Sequence, residues 1–274
     1  MSFLEEKPPW SKGRIEKLGQ AIRTENEYNT ALFNDFMRQQ TRLIAEIEPI
    51  IQEVLSASIL TEAEDDEEIS PNSGRYRYSS RVKIYRTLVE KIKRMTTTPM
   101  HRIQDISGLR VDFDGTHDVQ DEIASKLQEA MKSAGATKVK SVDLRSGEHA
   151  GYRALHLHVD FPAGKAEIQL RTAFQAQWAN LYEVAADIFG RQIRYAQWDL
   201  GLNEDQRNFV IGLQDLSESI HGFELSRQAI RGRQRLDNLS EDLAAPVAAN
   251  NAQAIELYGR IEAMLDKLRD LRET

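Results

Sequence analysis

The sequence predicts an α/β or α+β protein, in which a mixed β-sheet is flanked by helices and extended by helices at both ends. Two observations support this prediction. Between residues 108 and 188, short segments with strand periodicity are interspersed with helical periodicity. From about residue 11 to 60, and again from 203 to the end, apolar residues recur at helical spacing only.

This pattern divides the chain into three segments: an N-terminal helical region over residues 1–75, a core over residues 76–200 and a C-terminal helical region over residues 201–274. The first segment ends in an acidic stretch at residues 61–68. A block of like charge favours a solvated linker over an autoinhibitory cover. The last two helices are expected to separate at residues 244–250, which contain a proline.

The core elements follow from alternation and helical spacing. The segment Ala166–Thr172 alternates polar and apolar residues, as a strand with one buried face does. The helix after the first strand is expected to be capped by Asp118. A second core helix is predicted over residues 173–188. The predicted strands are Gly108–Phe113, Lys138–Leu144, Tyr152–Phe161 and Ala166–Thr172.

Composition narrows the classes of function. The chain has 274 residues, no cysteine and a formal net charge of −7. The missing cysteines argue against zinc or thiol chemistry, and the net charge opposes non-specific binding to nucleic acid. Acidic residues near the start and the lack of a long apolar run predict a cytoplasmic protein without a membrane span.

Four motifs with chemically useful side chains occur in one order along the chain: Arg81-Val82-Lys83, Asp105 to Arg110, Gly151 to His156, and Glu167 to Thr172. Together they resemble the synthetase domain of the RelA/SpoT family, the alarmone synthetases that move pyrophosphate from ATP to a ribose 3′-hydroxyl. The resemblance covers about residues 81–186 and implies a nucleotidyltransferase-like sheet.

The chemistry of such a transfer requires carboxylates and cations, because the phosphate charge must be neutralised while the hydroxyl loses a proton. Magnesium prefers oxygen ligands and often takes only one or two protein carboxylates. The resemblance implies that Asp105 and Glu167 are the catalytic acids and hold Mg²⁺, and that Glu167 also activates the hydroxyl. Taken alone, Asp105 could be a turn acid and Glu167 a solvated strand residue.

The resemblance also implies nucleotide-binding roles. Arg81 matches an arginine that stacks on the adenine of ATP, and Lys83 matches a phosphate contact, although basic residues before a helix are otherwise mostly surface charge. His158 matches no family role and is interpreted as structural. The acceptor-binding residues implied by the resemblance are Tyr152, which would stack on the base, His156, Gln169 and Arg171.

The chain departs from the family pattern near the acceptor. Glu148 stands roughly where many members carry a lysine, and a carboxylate there would repel the 5′-phosphates of a guanine nucleotide. Lys138, Lys140 and Arg145 could compensate or form a basic patch for a polyanion, but exposed strand and loop residues are the favoured interpretation. Glu183 is either a shifted family glutamate or an exposed helix acid.

Three functions remain open from the sequence. The leading hypothesis is an ATP-dependent pyrophosphokinase of the (p)ppGpp synthetase type, with GDP or GTP as acceptor. The second is a toxic small alarmone synthetase that modifies the tRNA 3′ end or makes adenosine alarmones. The third is a catalytically inactive nucleotide-binding regulator. The helical flanks suggest a homo-oligomer or an antitoxin-like partner, and the isolated pair His117-Asp118 suggests a loop and helix cap rather than a hydrolase site.

Overall fold

A computed structural model of the chain describes residues 2–64, 69–195, 201–236 and 243–273. Short 3₁₀ turns occur at Phe3–Glu5, Met100–Arg102, Gln104–Ile106 and Arg191–Tyr195. The helices and strands, in chain order, are α1 (Lys12–Arg23), α2 (Thr30–Ser56), β1 (Thr61–Glu62), β2 (Arg75–Val82), α3 (Tyr85–Arg94), β3 (Ser107–Phe113), α4 (His117–Ser133), β4 (Lys138–Asp143), β5 (Leu155–Phe161), β6 (Gly164–Thr172), α5 (Ala173–Phe189), α6 (Glu204–Leu236) and α7 (Ala244–Glu273).

The strands form one mixed sheet in the order β1-β2-β3-β6-β5-β4. The central pair β3 and β6 is parallel, whereas β6 pairs antiparallel with β5 and β3 pairs antiparallel with β2. The prediction of a mixed sheet flanked by helices is therefore confirmed. Strand β2 was not predicted, because its alternating aromatic and basic residues resembled a polar lead into α3.

One face of the sheet packs on α2 and α4. Buried side chains of the strands, such as Leu109, Ile168 and Leu170, join Leu43 and Ile47 of α2 in one hydrophobic cluster. Because successive strand residues point to opposite faces, the polar residues between these apolar ones lie on the other face. The functional side chains of β3 and β6 are therefore held by strands whose backs are fixed in the core.

Helices α5, α6 and α7 build a second cluster beside the sheet. Trp178 of α5 is buried there, and its indole Nε1 donates to the Leu213 carbonyl at 2.7 Å. The break expected at residues 244–250 was placed wrongly, because α7 begins at Ala244. Pro246 lies in its first turn, where a missing backbone N–H leaves no helical hydrogen bond unmade.

Two further boundaries differ from expectation. Strand β5 begins at Leu155 rather than at Tyr152, and α4 follows Thr116 as N-cap, with Asp118 in the first turn. Residues 61–62 of the acidic stretch pair in parallel with β2, whereas residues 65–68 lie outside the described part. Within the described part, no helix has the length and apolarity needed to cross a bilayer. The three segment boundaries stay a prediction.

Candidate active site

A cleft of about 700 Å³ opens on the polar face of the sheet. Its walls come from the end of β2, helix α3, the Gln104–Ile106 turn, strands β3, β5 and β6, and helix α5. All eight side chains that the sequence pattern singled out line this cleft: Arg81, Lys83, Asp105, Tyr152, His156, Glu167, Gln169 and Arg171. The fold thus brings together residues that are up to 90 positions apart in the chain.

Glu167 lies at the centre of the hydrogen-bonded side of the cleft. Its Oε1 is 3.2 Å from His158 Nε2 and 3.4 Å from His156 Nδ1, and its Oε2 accepts from Gln169 Nε2 at 2.8 Å. Burial would raise the pKa of this carboxyl, but the bonds to His156 and His158 outweigh burial and lower the pKa below its ordinary range. Glu167 is therefore held as a carboxylate.

The sheet register explains this arrangement. In the antiparallel pair of β5 and β6, His158 lies directly opposite Glu167 and His156 lies opposite Gln169. Directly opposed residues on one face have side chains within contact distance. His158, interpreted from the sequence as structural, therefore contacts the central acid. The spacing of two residues along β5 could have indicated that His158 shares a face with His156. Its partner on β6, however, depends on the strand register, which the sequence does not give.

Tyr152 and His156 extend the same network. The Tyr152 hydroxyl is 3.0 Å from His156 Nε2, and the two rings meet edge to face with centroids 5.7 Å apart. If the hydroxyl donates to Nε2, His156 carries its proton on Nδ1, from which it can donate to Glu167. Burial raises the pKa of Tyr152 to about 12, which keeps the phenol protonated.

The turn before β5 positions Tyr152. Gly151 has φ of 88°, and a Cβ there would lie 3.1 Å from the Trp178 ring and 3.2 Å from Ser217 Cβ. The glycine thus permits a close turn, and another residue there would be both strained and crowded. Ser217 Oγ of α6 donates to the Gly151 carbonyl at 2.5 Å, so the C-terminal helices help to hold the turn.

Asp105 has different surroundings from Glu167. It lies in the Gln104–Ile106 turn, and its Oδ2 is 2.6 Å from Lys91 Nζ and 3.2 Å from Lys83 Nζ. Its Oδ1 is buried without a hydrogen-bond partner in the described structure. A buried carboxylate oxygen without a partner is costly unless a ligand or ion completes it.

Several cleft residues were not predicted from the sequence. Helix α3 turns one face to the cleft through Thr87, Lys91 and Arg94, whose spacing of four and three residues is a helical signal that could have found them. Arg110, the last residue of the motif that begins at Asp105, also lines the cleft. Its pKa is lowered by burial and, to a smaller extent, by the charge of Arg171. Two more arginines come from the turn after α5: Arg191 and Arg194.

Arg171 is constrained by its own ion pair. The guanidinium is buried, and its Nε and Nη2 each donate to one oxygen of Asp112 at 2.7 Å. The register of β3 and β6 places these two residues opposite each other. A bidentate pair leaves Arg171 little freedom, so its face toward the cleft is fixed before any ligand binds.

The residues that depart from the family pattern lie mostly away from the cleft lining. Glu148 is exposed, as are Lys138 and Lys140 on the edge strand β4. Arg145 is half-buried and pairs with Asp143 at 2.7 Å and Asp121 at 2.9 Å. The interpretation as exposed strand residues therefore holds for Lys138 and Lys140, whereas Arg145 is half-buried because two carboxylates hold its guanidinium.

Glu183 is exposed on α5, lines the cleft and pairs with Arg194. Its carboxylate, although paired with Arg194, is therefore part of the cleft lining. Its relation to the family glutamate stays a prediction.

The fold is similar to that of a solved small alarmone synthetase. The crystal structure of the small alarmone synthetase 1 from Bacillus subtilis superposes with a TM-score of 0.53 at 20% sequence identity, covering 75% of this chain and 98% of that chain. This similarity defines the fold class.

The sequence itself matches a family model over residues 80–189, described as "Region found in RelA / SpoT proteins". Residues 80–189 are therefore similar to this region of RelA and SpoT proteins. Uncharacterized proteins of Mycobacterium tuberculosis and Mycobacterium bovis are 35% identical over 195 residues, an alignment that covers 70% of this chain. The chain spans 64% of the length of these relatives.

Proposed function

We propose that this protein is a pyrophosphotransferase that moves pyrophosphate from ATP to the 3′-hydroxyl of a guanine nucleotide and releases AMP, the reaction of a (p)ppGpp synthetase. The observation that carries the proposal is the convergence of two carboxylates, Asp105 and Glu167, with a set of basic side chains in one cleft of the RelA/SpoT region. Phosphoryl-group transfer depends on this combination of positioning and charge neutralisation.

The Asp105 side of the cleft suits the donor triphosphate. Arg81 is exposed at the rim and can stack on a base, whereas Lys83 and Lys91 supply charge next to Asp105. Polyphosphate oxygens would compete for these two ammonium groups and release the aspartate from its ion pairs. ATP binding is therefore expected to rearrange this side.

The residues present also fit magnesium. Asp105 Oδ1 is buried and unpartnered, and Glu167 is ionised, so the pair would hold Mg²⁺ through oxygen atoms. When bound, the ion would neutralise charge on the phosphates during transfer. Asp105 would be the more open ligand, because both oxygens of Glu167 already have hydrogen-bond partners.

The Glu167 side suits the acceptor. Tyr152 presents an aromatic ring at the cleft, suited to stacking on a nucleobase. Glu167 would accept a hydrogen bond from the attacking hydroxyl and orient it toward the β-phosphorus. Since its histidine partners lower its proton affinity, this orientation and the negative charge are its first contributions, and the proton of the hydroxyl would leave through the hydrogen-bond network around Glu167.

The experiment is a transfer assay with the purified chain, γ-labelled ATP, Mg²⁺ and, separately, GDP, GTP, ATP and deacylated tRNA. We expect label in GDP or GTP. Label in tRNA, or in an adenine nucleotide that carries a new 3′-pyrophosphate, would instead support the toxic-synthetase alternative. If no acceptor is labelled although ATP binds the cleft, the inactive-regulator alternative would replace the proposal.

A further inference from the structure

A second group of potential ligands lies outside the cleft, where α6 packs on the sheet core. His117 begins α4, and His221 and Glu224 lie one turn apart on α6. One ligand atom from each of the three residues lies within 4.8 Å of the others. None of the three lines the cleft described above.

The three side chains lie close together and are largely shielded from solvent. His117 and Glu224 are buried, His221 is half-buried, and the two imidazole rings stack with centroids 5.6 Å apart. His221 Nδ1 is buried and has no hydrogen-bond partner in the described structure. Burial, followed by the charge of Arg153, lowers the pKa of His221, and the neutral imidazole is the form that binds metals.

Glu224 is held by a surrounding shell of polar groups. Its Oε2 is 2.9 Å from His117 Nε2 and accepts from Gln175 Nε2 at 2.9 Å, and its Oε1 accepts from the Thr172 hydroxyl. Thr172 and Gln175 also form the capping box of α5. Metal-binding carboxylates are commonly oriented by such outer hydrogen bonds.

We propose that His117, His221 and Glu224 form a binding site for one divalent transition-metal ion of the zinc type. Two imidazoles and one carboxylate are a sufficient set of protein ligands for zinc, with a water molecule as fourth ligand. The compositional argument against zinc concerned thiolate ligands from cysteine, and this site uses none. Ligand atoms around tetrahedral zinc lie about 3.4 Å apart. Since the three ligand atoms here lie within 4.8 Å of one another, small side-chain rotations would bring them to that spacing.

A metal there would link parts of the chain that are distant in sequence. The ion would join α6 to the start of α4 beside the cap of α5. One turn before His221, Ser217 holds the Gly151 turn through its hydroxyl. The site would therefore stabilise the packing of the C-terminal helices against the core and, through Ser217, the turn that carries Tyr152.

The test uses the whole chain, stripped of metal by a chelator and titrated near neutral pH with Zn²⁺ or Co²⁺ alone. We expect one ion per chain, the visible absorption of tetrahedral Co²⁺, and a rise in Tm of at least about 5 °C at saturating Zn²⁺. His221→Gln and Glu224→Gln should weaken binding at least about 100-fold, since removing even an outer partner of a ligand costs up to that much.

His158→Gln is the matched control, because His156, His158 and Glu167 form the other histidine and acid group within metal reach in the described residues. The proposal requires that this variant keeps the ion. Loss in His158→Gln with retention in His221→Gln would place the ion in the cleft. If the stripped wild-type chain binds neither ion, the proposal is wrong, and the group is a buried histidine–carboxylate pair.

Discussion

The two carboxylates of the cleft are held in opposite ways. Asp105 lies in a short turn, 21% exposed, between two lysine ammonium groups, and one of its oxygens has no partner. Glu167 lies on a central strand, 11% exposed, and both of its oxygens are bonded to side chains of neighbouring strand positions. Asp105 is balanced by two lysine cations, and Glu167 by donors fixed on the sheet.

This difference indicates which side of the cleft a ligand must reorganise. Lysine ammonium groups have many rotamers and can move to incoming phosphates, so the Asp105 side would change when ATP binds. Histidines on a strand with a buried back have little freedom, so the Glu167 side is preorganised. Substitutions on the two sides of the cleft should therefore affect different kinetic parameters, and by different amounts.

The largest effect is expected at Glu167. Glu167→Gln keeps the shape of the side chain but removes its charge, so we expect kcat for pyrophosphate transfer to fall about 1,000-fold or more. Steady-state kinetics with saturating substrates would measure this fall. Asp187→Asn, at an exposed acid of α5 outside the cleft lining, is the control. An active Glu167→Gln enzyme would contradict the proposed role.

A smaller but distinct effect is expected at Asp105. Asp105→Asn should lower kcat about 100-fold and raise the Mg²⁺ concentration needed for half-maximal activity, because the open ligand is lost. Titration of activity with Mg²⁺ at fixed ATP would separate this variant from Glu167→Gln. An unchanged Mg²⁺ dependence would mean that Asp105 acts only through Lys83 and Lys91.

On the preorganised side, Tyr152 should affect binding more than chemistry. Tyr152→Ala removes the ring, and we expect KM for the acceptor to rise about 10-fold, as for other losses of base stacking. Tyr152→Phe keeps the ring and removes only the bond to His156, so KM should stay within about threefold of wild type. Equal effects of both substitutions would argue against stacking.

The smallest effect is expected at Glu148. The sequence argument predicts that Glu148→Lys improves the use of GDP, but the residue is exposed and outside the cleft lining, where solvent screens its charge. We therefore expect KM for GDP to fall by only about twofold, and less at high salt. An unchanged KM at low ionic strength would remove the repulsion argument.

Much of the core could be predicted because strands with one buried face must alternate. Ile168 and Leu170 are fully buried, and the polar residues between them face the cleft as the alternation required. The prediction of strands and their boundaries failed where a segment lacked one continuous buried face. Strand β2 has Tyr76 as its only buried residue, its other residues being partly buried or exposed. The turn at Tyr152 precedes its strand because Gly151 bends the chain.

The order of motifs was sufficient to select eight of the residues that line the cleft and the resemblance to the RelA/SpoT region, because both depend on residue types and spacing along the chain. The pairing of His158 with Glu167, the two lysines on Asp105, and the meeting of His117 with α6 depended on the tertiary structure. Strand register and helix docking bring together residues far apart in sequence, and local periodicity carries no information about those distances.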